Sequence, residues 1–262
     1  MEQAKELFFP HPPEILYHYC SNTSFLEIIK QGQLWLTDIN KMNDSAEERW
    51  AANLVRKLHR ELRKEDGASK WFYKYYPRKY ESKRMTARKF IACFSENGDT
   101  LSQWRAYADN GTGMAIGFYT DKMNVSLGYP DLSFAHDVKR FMKVCYSNKE
   151  QETLVRRVLN YDISTGYQED FLTPSFLAGL SIALKNEGFS EEKEWRMVYA
   201  PAFLKQNLND TDSECFFRVS PRGISPYLKH SFPQYALAHI LIGPINETTI
   251  GDVKFLRVLL KE

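Results

Sequence analysis

Cysteine is scarce in this sequence, and the few cysteines are widely separated. They stand at Cys20, Cys93, Cys145 and Cys215. Zinc fingers, zinc ribbons and dithiol redox motifs need closely spaced cysteine pairs, so this spacing excludes those classes of site. We expect all four residues to be reduced thiols in the protein core.

The sequence also lacks a long apolar run and a strong excess of either charge. No uncharged apolar stretch is long enough to span a bilayer, and no basic segment followed by an apolar run opens the sequence. The formal net charge is +2, so any attraction to nucleic acid or membrane would have to come from local patches. We therefore expect a cytoplasmic protein without a membrane partner.

The common nucleotide-binding and hydrolase motifs are missing as well. The sequence has no phosphate-binding loop, no dinucleotide-binding glycine fingerprint, no His-Glu-x-x-His helix and no nucleophile elbow. Gly111 and Gly113 lack a third glycine at the required spacing. They predict a turn that enters the strand-like segment MAIGF.

Short strand-like segments dominate the second half of the sequence. A strand, a capped helix that ends at Gly32 and another strand are expected near the start, and residues 45–64 predict an amphipathic helix. Helical patterns also cover residues 148–160 and 171–187. Because strands and helices do not alternate regularly, we expect a mixed α+β architecture in a single domain over residues 1–262.

Residues 70–90 interleave Lys and Arg with Trp, Phe and Tyr, and contain one acidic residue, Glu81. Aromatic faces and cations together can hold single-stranded nucleic acid by stacking and phosphate pairing. The alternative, which we favour, is a surface helix whose aromatic rings reach the core while its cations stay in water. Together with the amphipathic helix predicted over residues 45–64, this segment predicts a helical, basic and aromatic insertion around residues 45–89.

Three short segments concentrate polar and aromatic groups at the ends of predicted elements. His18 lies inside a strand, where a histidine is more often a satisfied structural residue than a functional one. Asn43 belongs to a pair of residues that would cap a helix well. Glu194 opens a strand two residues after Glu192, and such a carboxylate pair could raise one pKa, although solvated glutamates are the default expectation.

Residues 100–107 predict a helical turn with two different sides. Trp104 and Tyr107 lie on one side, and Ser102 and Arg105 lie on another. Such a turn can offer an aromatic wall and a cation to a ligand, or it can plug the core with its two aromatic rings. The sequence favours neither interpretation.

Five segments resemble, in consistent order, a bacterial family of unknown function, DUF2971. They are LYHYCSNTSFLEIIKQGQLWLT, NDSAE, CFSENGDTLSQWRAYADNGTGMAIGF, EKEWRMVY and ILIGP. The resemblance runs from about Leu16 to Pro244. It implies membership of a family but no particular function.

A more distant resemblance concerns the opening of the ADP-ribosyltransferases. The segment ILYHYCSNTSFLEIIKQGQLWLTD is similar to it, because a strand carries a histidine, a helix follows and a glycine ends the helix. This resemblance implies a mainly antiparallel split sheet with flanking helices and NAD as the substrate. It implies that His18 binds the NAD ribose and that Glu194 positions the ribose 2′-hydroxyl.

The same resemblance implies an aromatic ring that stacks on nicotinamide and a cation at the pyrophosphate. Tyr107 or Trp104 is the candidate for the ring, with Tyr19 behind them, and we group Tyr107 with His18 and Glu194 as catalytic. Arg196 or Arg105 would neutralise the pyrophosphate by charge-assisted hydrogen bonds. The remaining residues predicted to bind NAD are Asn43 and Ser102.

These resemblances imply an NAD-dependent ADP-ribosyltransferase that serves as a bacterial toxin or phage-defence effector. The acceptor of the ADP-ribose, whether protein or nucleic acid, and any neutralising partner stay open. One alternative is an NAD glycohydrolase that uses the same residues and lets water attack the ribose. Another is a non-catalytic nucleic-acid or protein-binding module that uses residues 70–90.

Overall fold

The computed structural model describes residues 10–39, 45–64, 89–126, 139–164, 181–199, 215–220, 223–249, 251–252 and 254. Within these residues, nine strands form one open sheet that is flanked by helices. All pairs of named strands in this part of the chain are antiparallel. The prediction of a mixed architecture with a mainly antiparallel sheet is confirmed.

The strands are β1 (Ile15–Cys20), β2 (Gln33–Asp38), β3 (Phe90–Ser95), β4 (Met114–Tyr119), β5 (Arg140–Lys143), β6 (Glu194–Tyr199), β7 (Phe216–Ser220), β8 (Gly223–Ser231) and β9 (Leu237–Ile242). Seven of them form a continuous path in the order β7-β8-β2-β3-β1-β4-β9, while β6 pairs with β3 and β5 pairs with β6.

Four α-helices have defined bounds in the described part of the chain, α1 (Asn22–Gln31), α2 (Ser45–Leu62), α3 (Leu101–Tyr107) and α4 (Asn148–Ser164), and residues 251–252 and 254 are helical as well. None of these helices is long and apolar enough to cross a lipid bilayer. Short 3-10 helices occupy Asp109–Gly111, Thr120–Lys122, Ser181–Ala183, Glu187–Glu192 and Gln234–Ala236.

Strand β3 is the point at which the sheet divides. One edge of β3 pairs with β6 along its whole length. On the other edge, Ile91 pairs with Thr37 of β2, whereas Ser95 pairs with Tyr17 of β1. Because backbone groups alternate between the two edges of a strand, Cys93 turns its backbone toward the space between these two contacts. Strands β1 and β2 therefore diverge from one edge of β3 and leave a gap at Cys93.

Local sequence signals account for the β1-α1-β2 unit that borders this gap. The hydroxyl oxygen of Ser21 accepts a hydrogen bond of 3.1 Å from the backbone of Ser24, which caps the start of α1. Gly32 ends the helix in the left-handed conformation with φ of 60°, and its N–H donates to the carbonyl of Ile28. The predicted strand, helix, glycine cap and second strand are all confirmed.

Successive side chains of strand β1 lie on opposite faces of the sheet and pack in two different clusters. Leu16 and Cys20 join the apolar core with Phe25 of α1. On the opposite face, Tyr19 packs with Trp104 of α3. Helices α1 and α3 therefore cover opposite faces of the sheet beside the gap, and the predicted helical turn over residues 100–107 is confirmed as α3.

Helix α2 confirms the amphipathic helix predicted over residues 45–64. Its apolar face packs against α4 and against the side of the sheet that holds β3, β5 and β6. Shared apolar burial joins these elements in one cluster. Its buried members from the two helices are Ala51, Ala52, Val55, Leu58, Leu62, Leu154, Val155 and Leu159.

Two sequence predictions about the fold and the core are wrong. Residues 181–187 do not continue an α-helix, because the backbone of residues 183–185 pairs with Cys145 instead: the amide of Cys145 donates to Ala183 and the amide of Lys185 donates to Cys145. Cys215 is exposed rather than in the core, although it is a free thiol like the other three cysteines. Residues 65–88 and 171–180, and with them most of segment 70–90, lie outside the described residues.

Candidate functional site

A cleft of about 600 Å³ opens where β1 and β2 diverge. Its walls come from β1, α1, β2, β3 and α3, and single residues of the Glu187–Glu192 segment, β6 and β7 complete it. The residues that line the cleft include His18, Tyr19, Ser21, Thr23, Ser24, Trp35, Thr37, Cys93, Tyr107, Glu192, Glu194 and Arg218.

His18 reaches from β1 across the gap to β3. Its Nδ1 lies 2.9 Å from the backbone carbonyl of Cys93, and its ring packs beside Phe94 with the ring centroids 5.6 Å apart. A carbonyl only accepts hydrogen bonds, so Nδ1 carries the proton and, in the neutral ring, Nε2 keeps its lone pair. Burial lowers the pKa of His18 and outweighs the opposing effect of this hydrogen bond. His18 is therefore a neutral hydrogen-bond acceptor in the wall of the cleft.

Tyr19 ties β1 to the start of α3. Its hydroxyl donates to the carbonyl of Asn97 at 2.8 Å and accepts from the amide of Thr100 at 3.1 Å. Its ring meets Trp104 edge to face, with the centroids 4.9 Å apart. Burial raises the pKa of Tyr19 to about 12. The hydroxyl is thus satisfied within the protein, and Tyr19 holds the cleft wall in place.

Helix α3 contributes one of its four predicted residues to the cleft, namely Tyr107. Trp104 is only 3% exposed, and its indole nitrogen donates to Asp99 at 2.7 Å. Ser102 has a buried hydroxyl without a hydrogen-bond partner among the described residues, and Arg105 faces solvent. Trp104 therefore fills the core while Tyr107, which is 47% exposed, faces the ligand space.

Two carboxylates and two cations form a buried cluster at the inner end of the cleft. The Lys185 ammonium lies 2.5 Å from Oε2 of Glu192 and 3.1 Å from Oε2 of Glu194. Arg196 donates to both oxygens of Glu194, from Nε at 2.7 Å and from Nη2 at 2.8 Å. Its third nitrogen, Nη1, donates to the backbone carbonyl of Ile182 at 2.5 Å.

The cluster keeps Glu194 ionised. Burial alone would raise the pKa of this carboxyl group, but Arg196 and Lys185 together outweigh burial and lower the pKa to about 2. The expectation of solvated glutamates is wrong, because Glu192 is 8% exposed and Glu194 is 6% exposed. Glu192 ends the 3-10 helix Glu187–Glu192 and Glu194 begins β6, so neither acid lies in an open loop.

Two tyrosine hydroxyls contact Glu192 and Glu194. Tyr107 places its hydroxyl 3.4 Å from Oε1 of Glu192, and Tyr146 accepts a hydrogen bond of 3.0 Å from the backbone amide of Glu194. Burial is the largest cause of a raised pKa for both tyrosines. Tyr107 therefore brings a protonated hydroxyl to the carboxylate that faces it.

Four of the nine predicted site residues line the cleft together, namely His18, Tyr19, Tyr107 and Glu194. Arg196 contacts the cleft only through Glu194, since all three of its guanidinium nitrogens bind within the protein. Ser102, Trp104 and Arg105 do not line the cleft, and Asn43 lies outside the described residues.

Sequence reasoning missed three residues that shape the site: Lys185, Trp35 and Arg218. Lys185 lies within a segment that was predicted to be helical. Its backbone amide instead donates to Cys145, and this pairing directs its side chain toward the two glutamates. Trp35 and Arg218 meet in the cleft because β2, β8 and β7 pair in that order. No local signal in the sequence reveals such pairing. Within the described ranges, no group of three His, Cys, Asp or Glu side chains is placed to hold a metal ion.

The fold and the cleft define a mixed α/β protein with an open, mainly antiparallel sheet and a ligand-sized cleft at its dividing strand. Residues 103–197 match the model of a family described as "Protein of unknown function (DUF2971)", which supports the resemblance to that family. The match includes Tyr107 and the whole Lys185–Arg196 cluster but not His18. No curated protein and no solved structure gave a match. The resemblance to ADP-ribosyltransferases therefore stays a prediction.

Proposed function

We propose that this protein is an NAD-dependent ADP-ribosyltransferase-like enzyme that binds NAD in the cleft between β1 and β2. The observation that carries the proposal is that His18 of β1 and Glu194 of β6, far apart in sequence, line the same cleft of about 600 Å³. Clefts of this volume commonly bind ligands the size of cofactors. A histidine and a carboxylate in one cleft are the arrangement that the resemblance implies.

The reaction breaks the bond between nicotinamide and the ribose carbon. The electron pair of that bond leaves with nicotinamide, and positive charge develops on the ribose, as it does in glycoside hydrolysis. The nucleophilic atom of the acceptor then forms the new bond to the same carbon and loses its proton. A carboxylate close to the ribose stabilises the developing charge. Glu194 meets this need because its pKa of about 2 keeps it ionised at neutral pH.

Lys185 and Arg196 fix the orientation of the catalytic carboxylate in this proposal. Both oxygens of Glu194 accept hydrogen bonds from them, so the carboxylate is held before substrate arrives. Preorganised charge costs no rearrangement at the moment of reaction. Lys185 also joins Glu194 to Glu192, so the two carboxylates are positioned as one unit.

The rest of NAD has matching groups in the same cleft. His18 offers the Nε2 lone pair to a ribose hydroxyl, and Tyr107 offers an exposed ring to nicotinamide. The hydroxyls of Ser21, Thr23 and Ser24 line the cleft at the amino end of α1, where phosphate oxygens are favoured by the helix. These residues take the pyrophosphate role first expected of Arg196 and Arg105.

The test is the release of nicotinamide from NAD by the purified protein and its variants. We expect Glu194→Gln to lower the rate at least about 100-fold, the usual effect of removing one preorganised charge-stabilising group. Glu191→Gln is the matched control, because Glu191 is exposed and neighbours the cluster in sequence. A folded Glu194→Gln protein that releases nicotinamide at the wild-type rate would contradict the proposal.

Product analysis separates the transferase from the alternatives. Free ADP-ribose without a modified acceptor would identify an NAD glycohydrolase that uses the same cleft. A protein that binds partners but neither binds nor consumes NAD would favour the non-catalytic module, which uses residues 70–90. The roles as a toxin or phage-defence effector, and the neutralising partner, belong to this proposal and would follow from the acceptor once it is found.

A further inference from the structure

An aromatic stack leads from the outer end of the cleft across the face of the sheet. The Trp35 ring of β2 stacks on Tyr227 of β8, with the ring centroids 4.3 Å apart and the planes 27° apart. Phe216 of β7 continues the row, with its centroid 5.6 Å from that of Tyr227. The strand register explains the row: Tyr227 pairs directly with Phe216, and Trp35 pairs with Lys229, so Trp35 is the diagonal neighbour of Tyr227 on the same face of the sheet.

Two cations accompany this row of rings. Lys229 places its ammonium 4.2 Å from the centroid of the Phe216 ring. Arg218 is exposed, lines the cleft and donates from Nη2 to the hydroxyl of Thr37 at 3.0 Å. Neither cation forms an ion pair with a carboxylate in the part of the chain that the structure describes. The surface thus carries positive charge that no nearby described acid neutralises.

Trp35 joins the row to the cleft. Tyr227 covers one face of its indole ring, and Trp35 lines the cleft with its remaining surface. Tyr227, Phe216 and Lys229 do not line the cleft, so the row continues beyond it. A ligand that contacts the whole row must therefore extend out of the cleft, and it must offer a flat ring near Trp35 and negative charges near Arg218 and Lys229.

We propose that the surface formed by Trp35, Phe216, Arg218 and Lys229, which the buried ring of Tyr227 supports from below, binds single-stranded nucleic acid, with a base against Trp35 and backbone phosphates at Arg218 and Lys229. Aromatic rings and unneutralised cations are the groups by which proteins hold single strands. An acidic peptide would use the two cations but not the open ring surface. The idea that this surface holds the acceptor of the ADP-ribose rests on the proposed function. The binding of single-stranded nucleic acid to this surface does not depend on that function.

The test measures binding in the absence of NAD, so its result does not depend on catalysis. Fluorescein-labelled single strands of about 10 nucleotides, oligothymidine and oligouridine, are titrated with the full chain and followed by anisotropy. Stacking on one aromatic residue is worth enough that Trp35→Ala should weaken binding about 5- to 100-fold. Trp35→Phe keeps a ring and should restore most of the affinity, which separates stacking from folding effects.

The two cations are tested by the salt dependence of binding, which a stacking ring does not determine. Arg218→Gln and Lys229→Gln should each reduce the slope of log affinity against log salt by about 0.7, the value for one phosphate contact with a single strand. Phe217→Ala is the matched control, because Phe217 is 67% exposed and lies on the opposite face of the same strand. It should bind both oligonucleotides like the wild type.

Three results would overturn the inference. The first is a folded wild type that binds neither oligonucleotide at low salt. The second is binding that Trp35→Ala and Arg218→Gln leave unchanged. The third is binding lost only when Lys74, Arg78 and Lys79 are replaced by Gln, which would assign it to segment 70–90. Nicotinamide release by the wild type is measured separately, so failure of this surface and failure of the proposed enzyme give different results.

Discussion

The ammonium nitrogen of Lys185 lies 2.5 Å from a carboxylate oxygen of Glu192, and both side chains are buried. The same nitrogen contacts Glu194, which also binds Arg196. Two carboxylates and two cations thus balance each other in a place that water scarcely reaches. A buried charge that loses its partner is costly, because neither solvent nor protein then compensates it.

Replacement of Lys185 by Met is therefore expected to destabilise the protein strongly. The substitution leaves two carboxylates against one cation, and breaking a buried pair in this way costs about 3–5 kcal/mol. Urea unfolding followed by circular dichroism measures the change in the free energy of unfolding. The matched variant is Lys143→Met, whose ion pair with Glu96 is largely solvated and should contribute only about 0–1 kcal/mol. Equal losses in the free energy of unfolding for the two variants would contradict the conclusion that the buried charges of the cluster compensate one another.

Stability should fall in acid because of Glu194. Its pKa is about 2 in the folded protein, against an ordinary value of 4.5, so the unfolded chain takes up the proton first as the pH falls. The stabilisation is complete above about pH 4.5, is lost as the pH falls toward 2, and amounts to about 3 kcal/mol. Unfolding free energies measured between about pH 3 and 4.5 should slope less in Glu194→Gln than in the wild type.

A histidine gives a separate loss of stability at higher pH. Burial lowers the pKa of His230 from 6.5 to about 4, and its Nε2 donates to the carbonyl of Met123 at 2.7 Å. The unfolded chain therefore binds this proton first, and stability is lost as the pH falls from about 6.5 toward 4. His230→Gln should reduce the slope in that window, to which the lowered pKa values of His59 and His18 also contribute, and leave the more acidic slope intact. One slope that both variants abolish together would contradict the assignment.

Local signals explain how much of this fold could be predicted. Ser21 and Gly32 mark the two ends of α1 in the sequence itself, so the first strand, helix and strand were predictable. The environment of Glu194 was not predictable. Lys185 reaches Glu194 because its segment pairs with Cys145, and no periodicity in the sequence indicates that pairing. Arg196 carried a signal, since residues two apart on a strand share a face. We assigned it to phosphate, and the structure shows that it binds the neighbouring glutamate instead.

Tertiary pairing likewise decides the outer half of the cleft. Trp35 and Arg218 stand far apart in sequence and come together only because β8 lies between β2 and β7. The sequence alone offers no register for three strands from distant segments. The helical turn predicted over residues 100–107 was right about the helix but not about its faces. Trp104 is buried and Tyr107 is exposed, although they lie three residues apart.

Gly113 should be irreplaceable beside the entry to β4. A Cβ atom there would lie 2.2 Å from the carbonyl oxygen of Cys20, which is backbone and cannot rotate away. We expect Gly113→Ala to lower the free energy of unfolding by about 1–3 kcal/mol, as overpacking does. Gly251→Ala is the comparison, because its nearest neighbour would be 3.4 Å away. Identical thermal unfolding midpoints for the two variants would show that the chain shifts at no cost.

Binding of NAD should depend on His18 but hardly on pH. Isothermal titration of the purified protein with NAD should give saturable binding that His18→Ala abolishes, because the Nε2 lone pair is the acceptor offered to the ribose. His11→Ala, at an exposed histidine outside the cleft, should bind like the wild type. Since burial lowers the pKa of His18 below its usual value of 6.5, the ring is neutral above that pH, and affinity should stay constant between about pH 7 and 8. Affinity that declines as the pH rises through this range would mean that a histidinium binds the dinucleotide. A wild type that does not bind NAD would contradict the proposed function and leave the single-strand surface at Trp35 as the remaining candidate binding site.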